Sequence, residues 1–67
     1  RVPNLYHNLA NVYLAMGDIK SAETNYLKAI QVDPNFFFSW QSLASLYQQT
    51  GQTEKLNNLI AKFKMLK

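Results

Sequence analysis

The sequence holds no cysteine, two glycines, two prolines, one histidine and four carboxylates in 67 residues. Without cysteine there is no disulfide, no thiol nucleophile, no Cys-based zinc site and no redox pair. That absence suits a reducing compartment such as the cytoplasm, and nothing else in the chain points to a location. The carboxylates are Asp18, Glu23, Asp33 and Glu54, and no two are set three or four residues apart on a helix face. His7 has no acid or serine at a recognisable spacing. Serine-type catalysis needs a base held by an orienting acid, and a metal site needs several ligands. Both glycines are spent ending helices, so no phosphate-cradling loop exists either. The expectation is a protein that is not an enzyme and carries no metal or cofactor.

Long apolar runs are missing too. None approaches the 18 residues a membrane span requires, so no membrane insertion is expected. Net charge is +3, and four of the seven lysines and arginines fall in the last thirteen residues. Lys62, Lys64 and Lys67 stand where they would complement the negative end of a helix. A nucleic-acid surface would show more arginine in a continuous stripe, so no nucleic-acid partner is expected. The start, Arg1-Val2-Pro3, has neither a methionine nor a signal-peptide pattern, and the chain is read as a piece of a longer protein.

What the sequence does have is apolar material, 48% of the residues and nine aromatics among them. That is too much for a disordered tail. A chain of this size buries only about 60% of its unfolded surface, so its stability margin is thin. The apolar residues also recur. Tyr6, Leu9, Ala10, Tyr13 and Gly17 are answered 34 residues later by Trp40, Leu43, Ala44, Tyr47 and Gly51. Fixed periods of 20–50 residues mark stacked repeat architectures.

Period and punctuation give four helices. Leu5, Leu9, Val12 and Met16, with Tyr6 and Tyr13, follow helical spacing over about 4–16. Gly17 ends that helix and Asp18 caps a second over 19–32, with Ile19, Ala22, Tyr26, Ala29 and Ile30 as its stripe. Pro34 stops it by biasing Asp33 away from helical geometry. Asn35 is the expected cap of a third helix over about 36–50, carrying Trp40, Leu43, Ala44 and Tyr47. Gly51 ends it, and a fourth over 53–66 carries Leu56, Leu59, Ile60, Phe63 and Leu66. The fold class is all-α, two antiparallel hairpins in tandem, since such short turns force antiparallel neighbours. Ala10 and Ala22 are expected at the close crossing inside the first hairpin. Tyr13 and Tyr26 fill the space beside it, each buried ring contributing roughly 1.5–3 kcal/mol.

These residues resemble the tetratricopeptide repeat, a 34-residue helix–turn–helix unit. Residues 3–36 match its pattern at Tyr6, Leu9, Ala10, Tyr13, Gly17, Ala22, Tyr26, Ala29 and Pro34. Residues 37–67 match through Gly51 and then depart: Leu56, Ile60 and Phe63 stand where Ala22, Tyr26 and Ala29 stood. Lys64 replaces Ile30 and Asn57 replaces Glu23, which suggests a terminal repeat with a polar outer face. The resemblance implies one domain over 1–67, a fragment of a right-handed α-solenoid.

It also implies a function, the binding of a peptide segment or partner helix in the concave groove lined by the first helix of each repeat. Mapped onto this chain, the groove candidates are Asn4, His7, Asn8, Asn11 and Leu14, then Phe38, Gln41, Ser42, Ser45 and Gln48. Amides both donate and accept, and so pair with both groups of an extended backbone. Some members of the family clamp a C-terminal carboxylate with lysine and asparagine. Here Asn11 keeps the asparagine, while His7 and Ser42 occupy the other positions, which leaves that clamp incomplete. In the run Phe36-Phe37-Phe38, helix neighbours point about 100° apart. One ring is expected between the hairpins, and Phe38 in the groove as an apolar anchor. The alternative function is self-association, a homo-oligomer formed through exposed repeat faces, because stable arrays usually need at least three repeats.

Overall fold

The computed structural model describes residues 2–66, with side chains from residue 4 onward. It is all-α: α1 (Val2–Ala15), α2 (Ile19–Val32), α3 (Phe37–Gln49) and α4 (Thr53–Met65). Among the described residues there is no strand. Each helix packs chiefly on its neighbours in the chain, α1 on α2, α2 on α3 and α3 on α4. The result is a slab of 32 × 30 × 13 Å, the shape expected of a stack in which each unit touches only the next. Lys67 lies outside the described residues, while Lys62 and Lys64 do sit in the last turn of α4.

The two hairpin turns are built alike. Gly17 and Gly51 take positive φ, 83° and 71°. After α1, the Gly17 N–H donates to the Leu14 carbonyl and the Asp18 N–H to that of Tyr13, at 3.0 and 2.9 Å. After α3, Gly51 and Gln52 repeat the pattern onto Gln48 and Tyr47 at 3.3 and 2.9 Å. This reciprocal pair of bonds satisfies carbonyls that a helix end would leave orphaned. A Cβ added at either glycine would meet nothing within 4 Å, so what demands glycine is the backbone angle and not space.

Asp18 caps α2 by accepting from the Ser21 N–H at 3.2 Å. The start of α3 differs from expectation. Its N-cap is Phe36, with no side-chain cap bond. Asn35 instead donates its own N–H to Asp33 Oδ1 at 3.1 Å. Asp33 folds the connector into an Asx turn, which places Asn35 one residue too early to cap the helix. The connector is pinned from the other side by Trp40, whose indole N–H donates to the Pro34 carbonyl at 2.8 Å.

Ala10, Ala22, Ala29, Tyr26, Leu43 and Leu46 form the fully buried centre, with Trp40, Tyr47 and Leu59 close behind. The alanines let α1 and α2 approach, as their size requires. Ser39 and Asn25 are the buried polar residues. Both are satisfied: Ser39 by His7 at 2.9 Å, Asn25 by the Ser21 carbonyl at 2.8 Å. The expected stripe, Leu5, Leu9 and Val12 of α1 with Met16 just past its end, does not enter this core and is exposed. The reason is register: Ala10, Tyr13 and Leu14 take the side of α1 that packs on the core, which turns the stripe away from it.

Candidate functional site

α1 reaches the start of α3 at a polar point, through His7. His7 Nδ1 and the Ser39 hydroxyl are 2.9 Å apart. The imidazole sits against Tyr26 and Phe36, with ring centroids 5.5 and 5.4 Å away. Burial holds the His7 pKa below its ordinary value, so the ring is neutral at pH 7. It therefore supplies no cation to this face.

Tyr26 reaches the same face from α2. Its hydroxyl donates to Asn11 Oδ1. Burial raises the phenol above its usual value, and the neighbouring Ser42 hydroxyl pulls it partly back by favouring the phenolate. Asn11 and Ser42 are thus tied to the first hairpin's core aromatic, and Asn11 keeps its NH2 as a donor.

Around this centre Asn4, Asn8 and Asn11 on α1 are exposed, as are Gln41, Ser45 and Gln48 on α3. Leu14 and Ser42 are half-buried. The three phenylalanines part company as helix geometry requires. Phe36 packs on His7, Phe37 stands edge-on to Phe63 at 5.5 Å, and Phe38, 66% exposed, packs T-shaped on Phe36 at 5.7 Å. Neither α1 nor α3 contains an aspartate, glutamate, lysine or arginine. Every charge among the described residues lies on α2, on α4 or in a turn. The face is neutral, and what it offers is amides, hydroxyls and an aromatic ring.

Sequence reasoning missed a second polar joint. The Tyr47 hydroxyl donates to Glu23 Oε2 at 2.8 Å, and Lys55 Nζ lies 3.3 Å from the same oxygen. Burial first, then the Glu23 hydrogen bond and charge, push the Tyr47 phenol far up, so it stays protonated. It also missed the hollow of about 310 Å³ between α3 and α4, lined by Phe37, Trp40, Gln41, Ala44, Leu59, Ile60 and Phe63. The signal was available. Moving the first hairpin's interface residues forward by 34 positions names most of that lining. Among the described residues no group of three His, Cys, Asp or Glu could hold a metal ion, and no helix is long and apolar enough to cross a membrane.

A model of the tetratricopeptide repeat family matches residues 3–36, which is α1, its turn, α2 and the connector. The chain belongs to the tetratricopeptide repeat family. A second model of the same family matches residues 25–55, from the middle of α2 across α3 into α4. It stops one residue short of Leu56, where the second unit's side chains depart from the first's. An uncharacterized protein, ycf37, of Pyropia yezoensis is 30% identical over 61 residues, 91% of this chain. The chain spans 34% of that protein's length. No solved structure matches. Tetratricopeptide repeats are in general protein-interaction scaffolds without catalytic activity of their own.

Proposed function

We infer that the chain binds an extended peptide segment or a partner helix along the face shared by α1 and α3. The observation that carries this is the set of exposed, uncharged amides, Asn4, Asn8 and Asn11 on α1 and Gln48 on α3, with the largely exposed Phe38 packed on Phe36, while Gln41 turns to the α3–α4 hollow. His7 and Ser42 act as supports from beneath, because their polar atoms already serve Ser39 and Tyr26. Leu14 and Ser45 complete the floor. A face without charge recognises backbone and apolar side chains and does not steer an acidic or basic ligand.

Binding is therefore expected to vary little with salt, since screening acts on charges. A fluorescence-polarisation screen of a random peptide library tests this. Saturable binding that survives a rise from low to high salt, and that falls about tenfold or more in Phe38→Ala, supports the reading. Asn11→Ala is expected to weaken it less. No saturable ligand, or ligands indifferent to both substitutions, would sink it.

A further inference from the structure

A second cleft, of about 480 Å³, is walled by α2 and α4, with Trp40 and Tyr47 of α3 between them. That volume falls in the range of sites that seat a small ligand or a few side chains, roughly 300–1,000 Å³. The cleft is made by the joint between the two hairpins. None of the residues assigned to peptide binding on α1 and α3 lines it.

Its charge is uneven. Glu23 is its only carboxylate, and that side chain is just 14% exposed. Lys55 lies 3.3 Å from Glu23 Oε2, and the Tyr47 hydroxyl donates to the same oxygen at 2.8 Å. The acid is therefore already matched by a cation and by a buried donor. Seven residues on from Glu23 and Lys55 come Ile30 and Lys62. Lys62 is exposed and pairs with no carboxylate among the described residues. The lining thus holds one cation more than its acid can answer, and the ligand it complements is an anion.

The rest of the cleft is apolar beneath and amide at the rim. Leu27 is 42% exposed and Ile30 is half-buried, above Trp40 at 7% and Leu59 at 6%. One exposed leucine is ordinary. A leucine that continues into an isoleucine, a tryptophan and a second leucine, rimmed by polar groups, marks an interaction site. Gln31 and Asn58 stand exposed on opposite walls, one on α2 and one on α4. Their amides both donate and accept, as a peptide backbone requires. A free fatty acid would meet the lysine and the apolar surface but leave both amides without a partner.

We propose that the cleft between α2 and α4 binds an acidic peptide segment of another protein, a bulky apolar side chain entering beside Leu27 and Ile30 and a nearby carboxylate meeting Lys62. The site is separate from the uncharged face on α1 and α3 and opposite to it in chemistry. Salt distinguishes them, since screening weakens a contact to Lys62 and leaves amide contacts largely untouched.

Phage-displayed random peptides panned on Phe38→Ala, in which the other face is weakened, test the proposal. The ligands selected should carry Asp or Glu within about four residues of Leu, Phe or Trp. A synthetic copy of the strongest is then titrated by fluorescence polarisation. Its affinity is expected to fall about tenfold or more in Leu27→Gln and about fivefold in Lys62→Glu, and to persist in Lys62→Arg. It should also weaken as salt rises from about 50 to about 500 mM. Both positions are exposed, and helical circular dichroism equal to wild type confirms that the variants fold. Ligands of the other face should ignore these substitutions and salt alike, so failure of one site is visible apart from failure of the other. Three results would overturn the proposal. They are panning that yields no acidic ligand; an acidic ligand indifferent to both Leu27→Gln and Lys62→Glu; and decanoate displacing the peptide at equal concentration, which would give the cleft to a free acid.

Discussion

Leu9 and Leu43 hold the same position in the 34-residue period, yet Leu9 is 40% exposed and Leu43 is fully buried. Val12 and Leu46 show the same contrast, as do Tyr26, 1% exposed, and Ile60, 42% exposed. In each pair the covered member faces the joint between the hairpins and the open member faces an end of the stack. Burial here is a property of having a neighbour. Equal side chains in equal local structure differ by whatever the next unit brings, which is the energetic logic of a one-dimensional array.

The sharpest way to break the comparison is to truncate the leucines in turn. Leu43→Ala empties a filled site and is expected to cost about 2–5 kcal/mol. For so small a domain that is a large share of its total stability. Leu9→Ala should cost less, about 1–2 kcal/mol, since 40% of its surface already stands in water. Urea midpoints of the two variants check this, and equal losses would mean that α1 is covered in solution.

A smaller effect comes from His7, whose counterpart Gln41 cannot titrate. Its folded pKa lies below the unfolded value of 6.5 because burial disfavours the charged ring. The unfolded chain therefore takes up the proton first. The stability contributed by the neutral ring is complete above about pH 6.5 and is lost as pH falls through and below it. Thermal midpoints at a series of pH values should show this decline in wild type and a shallower one in His7→Gln.

The smallest effect is expected at Lys55, which reaches from α4 back to Glu23 on α2. Its side chain is half exposed, so Lys55→Met should cost at most about 0.5 kcal/mol and lose even that at high salt. The Tyr47–Glu23 bond beneath it should persist. A loss that does not respond to salt would show that Lys55 packs and does not merely pair.

Much of the architecture could be read from residue types. Gly17 and Gly51 are demanded by left-handed turns, Asp18 by a helix start and Pro34 by a helix end. Ala10 and Ala22 are demanded by a close crossing. Those are local rules, and local rules survive whatever surrounds them. Asn35 shows where they fail. It is a good capping residue by type, but a competing Asx turn at Asp33 shifted the helix start past it. The candidate face was legible as a row of positions on α1 and α3. Its inner supports were not, because no spacing announces that His7 bonds Ser39 or that Tyr26 bonds Asn11 from another helix.

The sequence by itself determined the period, the four helices, their turns and the family, because those depend on backbone angles and side-chain size within one unit. The tertiary structure alone decided which copy of each repeated position is covered. It also decided that His7 is tethered and its pKa lowered by burial, that burial and Glu23 hold Tyr47 protonated, and that an apolar hollow stays open between α3 and α4. Each of these depends on distance and dielectric between units, and a sequence written along one chain does not carry either.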